Sequence, residues 1–167
     1  MSFCRFLGTV SVKIVCGKKT MKSKYEHEHF AVFQGNLFSS DTWKGYIELH
    51  TKSKRIAKKY DFIEENGAFH KLVSPYELTE YYLQSFEAKY QGKTVYIWRG
   101  NDKNVDIEAG AGFSPDSLGF VQVEKYVFEK TVRTSELTDI HAKKEDLLEE
   151  AKKIFDEFRK KESDALK

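Results

Sequence analysis

Cysteine is scarce: the 167-residue chain holds two, Cys4 and Cys16. A disulfide-stapled scaffold is excluded, and both thiols read as reduced core residues of an N-terminal strand region. Long hydrophobic runs are missing as well. No stretch approaches a membrane span, and Met1–Phe6 lacks the uninterrupted apolar core of a signal peptide, so no membrane association and a cytoplasmic location are expected. Neither sign of charge dominates, with 28 basic against 26 acidic residues and a net charge of +2; a nucleic-acid binder would concentrate a basic stripe. No glycine-rich phosphate loop, nucleophile elbow or zinc-protease motif is present. His27 and His29 put two imidazoles on one face of an extended segment, yet His50, His70, His141 and the cysteines supply no matching ligand set. The chain therefore reads as a non-enzyme without metal or cofactor.

What the chain does contain is a repeated block. Phe69-His70-Lys71-Leu72-Val73-Ser74-Pro75-Tyr76-Glu77-Leu78-Thr79-Glu80 returns as Phe128-Glu129-Lys130-Thr131-Val132-Arg133-Thr134-Ser135-Glu136-Leu137-Thr138-Asp139, 59 positions on, with six identities. One residue of slippage extends the match upstream, pairing Ile47-Glu48-Leu49 with Val105-Asp106-Ile107 and Phe62 with Phe120. A third anchor aligns Gly8 to Gly17 with Gly92 to Gly100. Self-similarity of this kind constrains architecture before any local reading. It gives a first repeat over about 3–80, carrying an insertion over about 18–44, and a second over about 86–140. The second closes the gap with Asn101 to Asn104, a hairpin with Asn101-Asp102 in its turn.

Length and composition favour one domain over 1–167 with a single shared core, or two intimately packed lobes. Aromatic and β-branched alternation runs to about Thr138, with connections too short for crossover helices, so the sheet is expected to be antiparallel. Ser74-Pro75-Tyr76-Glu77 has the capping-box pattern for one helical turn. Glu77 and Glu136 survive in both copies, which points to a local backbone role. From about Lys143 the period changes: Leu147, Leu148, Ala151, Ile154, Phe155 and Phe158 form an amphipathic stripe. The fold class is α+β, a mostly antiparallel sheet of two duplicated repeats with a C-terminal amphipathic helix over about 143–161, docked on the sheet.

Candidate binding residues follow from where the copies differ. Val12 and Ile14 align with Val95 and Ile97 as core, whereas Lys13 and Val15 face Tyr96 and Trp98 across the alignment. Tyr96 and Trp98 are therefore either covered by the C-terminal helix or exposed as partner anchors. Tyr82, Phe86 and Tyr90 form a second aromatic row. The basic segment with Lys52, Lys54, Arg55, Lys58 and Lys59 is the nucleic-acid alternative, although Ile56 and Ala57 can form the buried side of a short helix with its cations in solvent.

Trp98-Arg99-Gly100 at a strand end resembles the arginine strand of ADP-ribosyltransferases. Phe113-Ser114-Pro115 is a poor match for that family's Ser/Thr strand, and Ser135-Glu136 is the duplicate of Tyr76-Glu77, so the enzyme reading is set aside. Over roughly Lys52 to Lys143 the chain resembles small bacterial proteins encoded beside polymorphic or contact-dependent toxins and regarded as their cytoplasmic immunity proteins. The resemblance rests on Ile56-Ala57-Lys58-Lys59-Tyr60-Asp61-Phe62, Phe69-x-Lys71-x-Val73 with Glu77-Leu78, Tyr90-x-Gly92, Gly119-Phe120, and Phe128-Glu129-Lys130-x-Val132 with Glu136-Leu137. The long insertion and the C-terminal helix depart from that pattern. The resemblance implies a non-enzymatic protein that occludes a toxin domain by stoichiometric binding, and the near-neutral charge suits a toxin of acidic or mixed surface. A phage-type inhibitor of a host defence would share this binding physics.

Overall fold

Alternating burial along short strands, broken by two-residue turns, sets the architecture. The computed structural model describes residues 23–25, 27–109 and 118–165. β1 (Glu28–Phe33), β2 (Asn36–Trp43) and β3 (Tyr46–Thr51) form a meander. Its turns, Gln34-Gly35 and Lys44-Gly45, have positive φ at all four residues, the twist that tight hairpins need. Helix α1 (Lys54–Lys59) starts at Ser53, whose hydroxyl accepts from the Ile56 amide. Then come β4 (Ile63–Glu65), β5 (Ala68–Val73), a 3-10 turn (Pro75–Glu77) and the long β6 (Leu78–Tyr90). The second half continues through β7 (Lys93–Gly100), β8 (Asn104–Ala109), β9 (Val121–Glu124), β10 (Val127–Arg133), a 3-10 turn (Thr134–Glu136), β11 (Leu137–Asp146) and helix α2 (Leu148–Ala165).

The described strands make one antiparallel sheet in the order β4-β5-β3-β2-β1-β6-β7-β8-β10-β9, with β11 added on β6. Strand β6 is the hub. Tyr82 to Gln84 pair with both β1 and β11, and Phe86 to Tyr90 lie between β7 and β11, so β1 and β7 share one edge of β6 and β11 takes the other. Pairing registers recur on either side of it. Ile47 faces Val73 and Leu49 faces Lys71 in the first half; Val105 faces Val132 and Ile107 faces Lys130 in the second.

The buried side chains form two clusters. Ala31, Phe33, Phe38, Ile47, Leu49, Val73, Leu78 and Tyr81 form one cluster, and Ala88, Tyr90, Val95, Ile97, Val105, Ile107, Val132 and Leu137 the other. Tyr81 is odd and Ala88 and Tyr90 are even on an unbroken stretch of β6, and successive side chains of a strand point to opposite faces. The two cores therefore lie on opposite faces of the shared strand. Each contains an inward-turned lysine: Lys71 Nζ donates to the Tyr60 carbonyl at 2.8 Å, and Lys130 Nζ donates to the Leu118 carbonyl at 2.6 Å and to Tyr90 Oη at 3.0 Å.

The structure bears on three expectations. Residues 28–43, read from sequence as part of an insertion, are two strands inside the sheet with Ala31, Phe33 and Phe38 buried. The Gln91-Gly92 turn has the same conformation as Gln34-Gly35, with φ of 47° and 77° against 48° and 74°; Gly8 to Gly17, Cys4, Cys16 and Phe113-Ser114-Pro115 lie outside the described residues. Helix α2 begins at Leu148, because Lys143 to Asp146 continue β11 and pair with Tyr82 to Ser85. It does dock on the chain itself. Ala151, Leu147 and Leu148 join the first core, and the Phe155 ring meets Tyr46 edge-on at 5.0 Å and Tyr76 at 6.1 Å. None of the described helices is long and apolar enough to cross a membrane.

Candidate partner-binding surface

The aromatic row foreseen on β6 is mostly interior. Tyr82 is 7% exposed, packed on Phe30 with Lys144 Nζ 4.3 Å from its ring centroid. Phe86 packs edge-on against Tyr25 at 5.3 Å, and Tyr90 is buried in the second core. The parity that lines up these three residues is the parity of that core. Tyr96 is half-buried between Glu87 on β6 and Glu108 on β8. Trp98 sits at a register shift between Ile97 and Arg99, 46% exposed, with its ring 5.0 Å from that of His27. Helix α2 packs elsewhere, on the Pro75–Glu77 turn and the Tyr81 end of β6, so Trp98 keeps an open face.

Other singled-out residues have structural partners. His27 Nε2 lies 3.1 Å from the Ile97 carbonyl while His29 stacks on Tyr81, so the two imidazoles diverge. Arg99 Nε donates to Asp106 Oδ2 at 2.7 Å, which raises the arginine further and ties it down. On α1 only Ala57 is buried; Lys54, Arg55, Lys58 and Lys59, with Lys52 just before, are exposed on a six-residue helix, the solvated face that the spacing predicts.

A different surface gathers what a partner would grip. On the outer face of the first half, Trp43 (55% exposed), Ile63 (65%) and Leu72 (45%) line one groove with Glu48, Asp61 and His70. Strand parity puts them there. Phe38 and Ser40 point inward on β2, so Trp43 points out; Phe69 and Val73 point inward on β5, so His70 and Leu72 point out. Register then joins them, with Leu72 opposite Glu48 and Ile63 opposite His70. The rim is acidic: Asp41 and Glu48 lie 3.3 and 3.7 Å from His50 Nε2, and Glu65 lies 3.8 Å from His70 Nε2. Lys71, the lysine that lines the groove, sends its ammonium inward to Tyr60, and Lys44 Nζ lies 5.5 Å from the Trp43 ring centroid.

At the matching register of the second half the chemistry is polar. Thr131 stands opposite Asp106 where Leu72 stands opposite Glu48. Thr131 Oγ1 donates to Asp106 Oδ1 at 2.6 Å, and Arg99 holds the other carboxylate oxygen. Burial pushes the Asp106 carboxyl upward, but these bonds and the Arg99 charge outweigh it and keep the group below its ordinary range. Sequence reasoning missed the groove because Trp43, Ile63 and Leu72 share no period; the signal available was the Leu72-to-Thr131 difference inside the repeated block.

A family model described as Uncharacterised conserved protein UCP033725 matches residues 25–148, from just before β1 to the start of α2. No curated protein and no solved structure is detectably similar to the chain. Since the match spans well over half of the 167 residues, the chain belongs to the UCP033725 family.

Proposed function

We propose that this is a non-enzymatic cytoplasmic binding protein of the immunity type, neutralising a toxin domain by stoichiometric association, with the Trp43–Ile63–Leu72 groove as its principal contact surface. The groove carries the reading: three large apolar side chains exposed in one concavity are what interfaces bury, and aromatic anchors dominate their energetics. The acidic rim favours a partner that presents cations around an apolar knob, which revises the expectation drawn from net charge. Trp98, exposed on the second half, is a second candidate anchor.

The chain is further proposed to be a duplication of one β-β-β-β-β-turn-β unit, with β6 serving as last strand of the first copy and first strand of the second. Three features support it: the recurring registers, the inward lysines, and the turns at Ser74 and Arg133, where Glu77 and Glu136 each accept from the backbone amide three residues back, at 2.8 and 3.1 Å. Capture of the partner from the native host, followed by titration of the purified pair, tests the function. A saturating 1:1 complex that silences the partner's activity is expected. Recovery of nucleic acid with the steep salt dependence of phosphate contacts, lost on neutralising Lys58 and Lys59, would replace the proposal with the nucleic-acid reading.

A further inference from the structure

Where the second core ends in apolar side chains, the first ends in polar ones. His29 pairs with Ser40 across β1 and β2 as Phe86 pairs with Ile97 across β6 and β7. Tyr81, opposite Ala31, corresponds in the repeated block to Ile140, which lies in the register shift of β11 and packs on the second core. Phe86, Ile97 and Ile140 all belong to the second core, where the Tyr25 ring closes the end against Phe86. In the first half Ser40 is buried with a hydroxyl that has no hydrogen-bond partner. Tyr81 is buried too, stacked on His29, and no hydrogen bond to its hydroxyl exists among the described residues. Burying the unpaired Ser40 hydroxyl where the matching position of the second half holds isoleucine sacrifices stability, and the Tyr81 hydroxyl, which reaches a cavity lined by this end of the sheet, is left to bond a ligand.

A cavity of about 350 Å³ opens at this end, between the sheet and α2, a size suited to a small molecule. His29, Thr42, Lys44 and Tyr81 line the sheet side, and Glu150 and Ile154 the helix side. We infer that this cavity binds a small amphipathic carboxylate, its head group bonded by Tyr81, His29 and Thr42 beside Lys44 and its apolar part laid along Ile154 and Ala151. Burial, with Asp41 adding to it, pushes the Tyr81 phenol up to about 12, so it is a proton donor at neutral pH. Glu150 sets the polarity, since a carboxylate is repelled from the helix side and drawn to Lys44, whose ammonium, 5.5 Å from the Trp43 ring centroid, would swing to the head group on binding.

Isothermal titration of the full chain with sodium octanoate tests the inference, with octylamine and 1-octanol as probes of head-group chemistry. Octanoate is expected to bind at 1:1 and more tightly than either control. Tyr81→Phe, which keeps the stacked ring, and Lys44→Ala, at an exposed turn, should each weaken it by about tenfold, the loss of one charge-assisted bond. No binding of octanoate, equal binding of octylamine, or an affinity unchanged in both Tyr81→Phe and Lys44→Ala overturns the proposal.

Discussion

Lys71 and Lys130 show how single residues were legible without their roles being so. Their place in Phe-x-Lys-x-Val is plain in the sequence, and the spacing puts both on the face shared with buried Phe69 and Val73 or Val132. That their ammonium groups bond a loop carbonyl in each half follows only from the fold. Lys71→Met is expected to cost about 1–3 kcal/mol by leaving the Tyr60 carbonyl unpaired, read as a shift in denaturation midpoint at unchanged slope. Asp106 gives a pH prediction. Its folded pKa lies below its unfolded value, so its contribution is present above the unfolded pKa, near 4 for an aspartate, and is lost as pH falls through the lower folded value. Denaturant melts from about pH 6 to about pH 3 should show a smaller acid-side loss of stability in Asp106→Asn than in the natural chain; superimposable profiles would count against the role of the Arg99 and Thr131 bonds.

At the scale of elements the sequence is most readable where a local rule acts. The capping box at Ser74, the Asn101 turn, whose Oδ1 accepts from the Lys103 and Asn104 amides, and the period-3.6 stripe of α2 are local chemistry, and all three form. Boundaries failed where pairing overrides period: Lys143 to Asp146 are claimed by β6 before the helix can start. Reading 18–44 as an insertion passes over a second sequence match, Ala31-x-Phe33-Gln34-Gly35 with Ala88-x-Tyr90-Gln91-Gly92. A comparison of glycines tests the docking of α2. Gly45 and Gly67 both have φ near 79°; a Cβ at Gly45 would lie 3.2 Å from Phe155 Cα and Phe158 Cβ, whereas one at Gly67 meets nothing within 4 Å. Gly67→Ala should therefore cost about 1 kcal/mol of backbone strain, and Gly45→Ala that plus displacement of α2, seen as a larger loss of stability with changed Tyr76 or Trp43 fluorescence. Equal losses would mean that α2 is not held at this turn.

The molecule as a whole is two cores on opposite faces of β6, an arrangement hidden from the sequence because parity along a 13-residue strand decides it. Leu49 and Ile107, both fully buried, occupy matching registers in different cores. Each change to alanine should cost about 2–5 kcal/mol. The double variant should be additive within about 0.5 kcal/mol if the cores share no packing, and a larger coupling would mean one core. The same division leaves the outer face of the first half free for a partner, and titration of the purified partner with variants of that face is the most direct test. Trp43→Ala and Leu72→Ala should each weaken binding by about 2 kcal/mol or more while stability changes by about 0.5 kcal/mol or less. Unchanged affinity in both variants, with the loss found instead in Trp98→Ala, would contradict the groove as the binding surface.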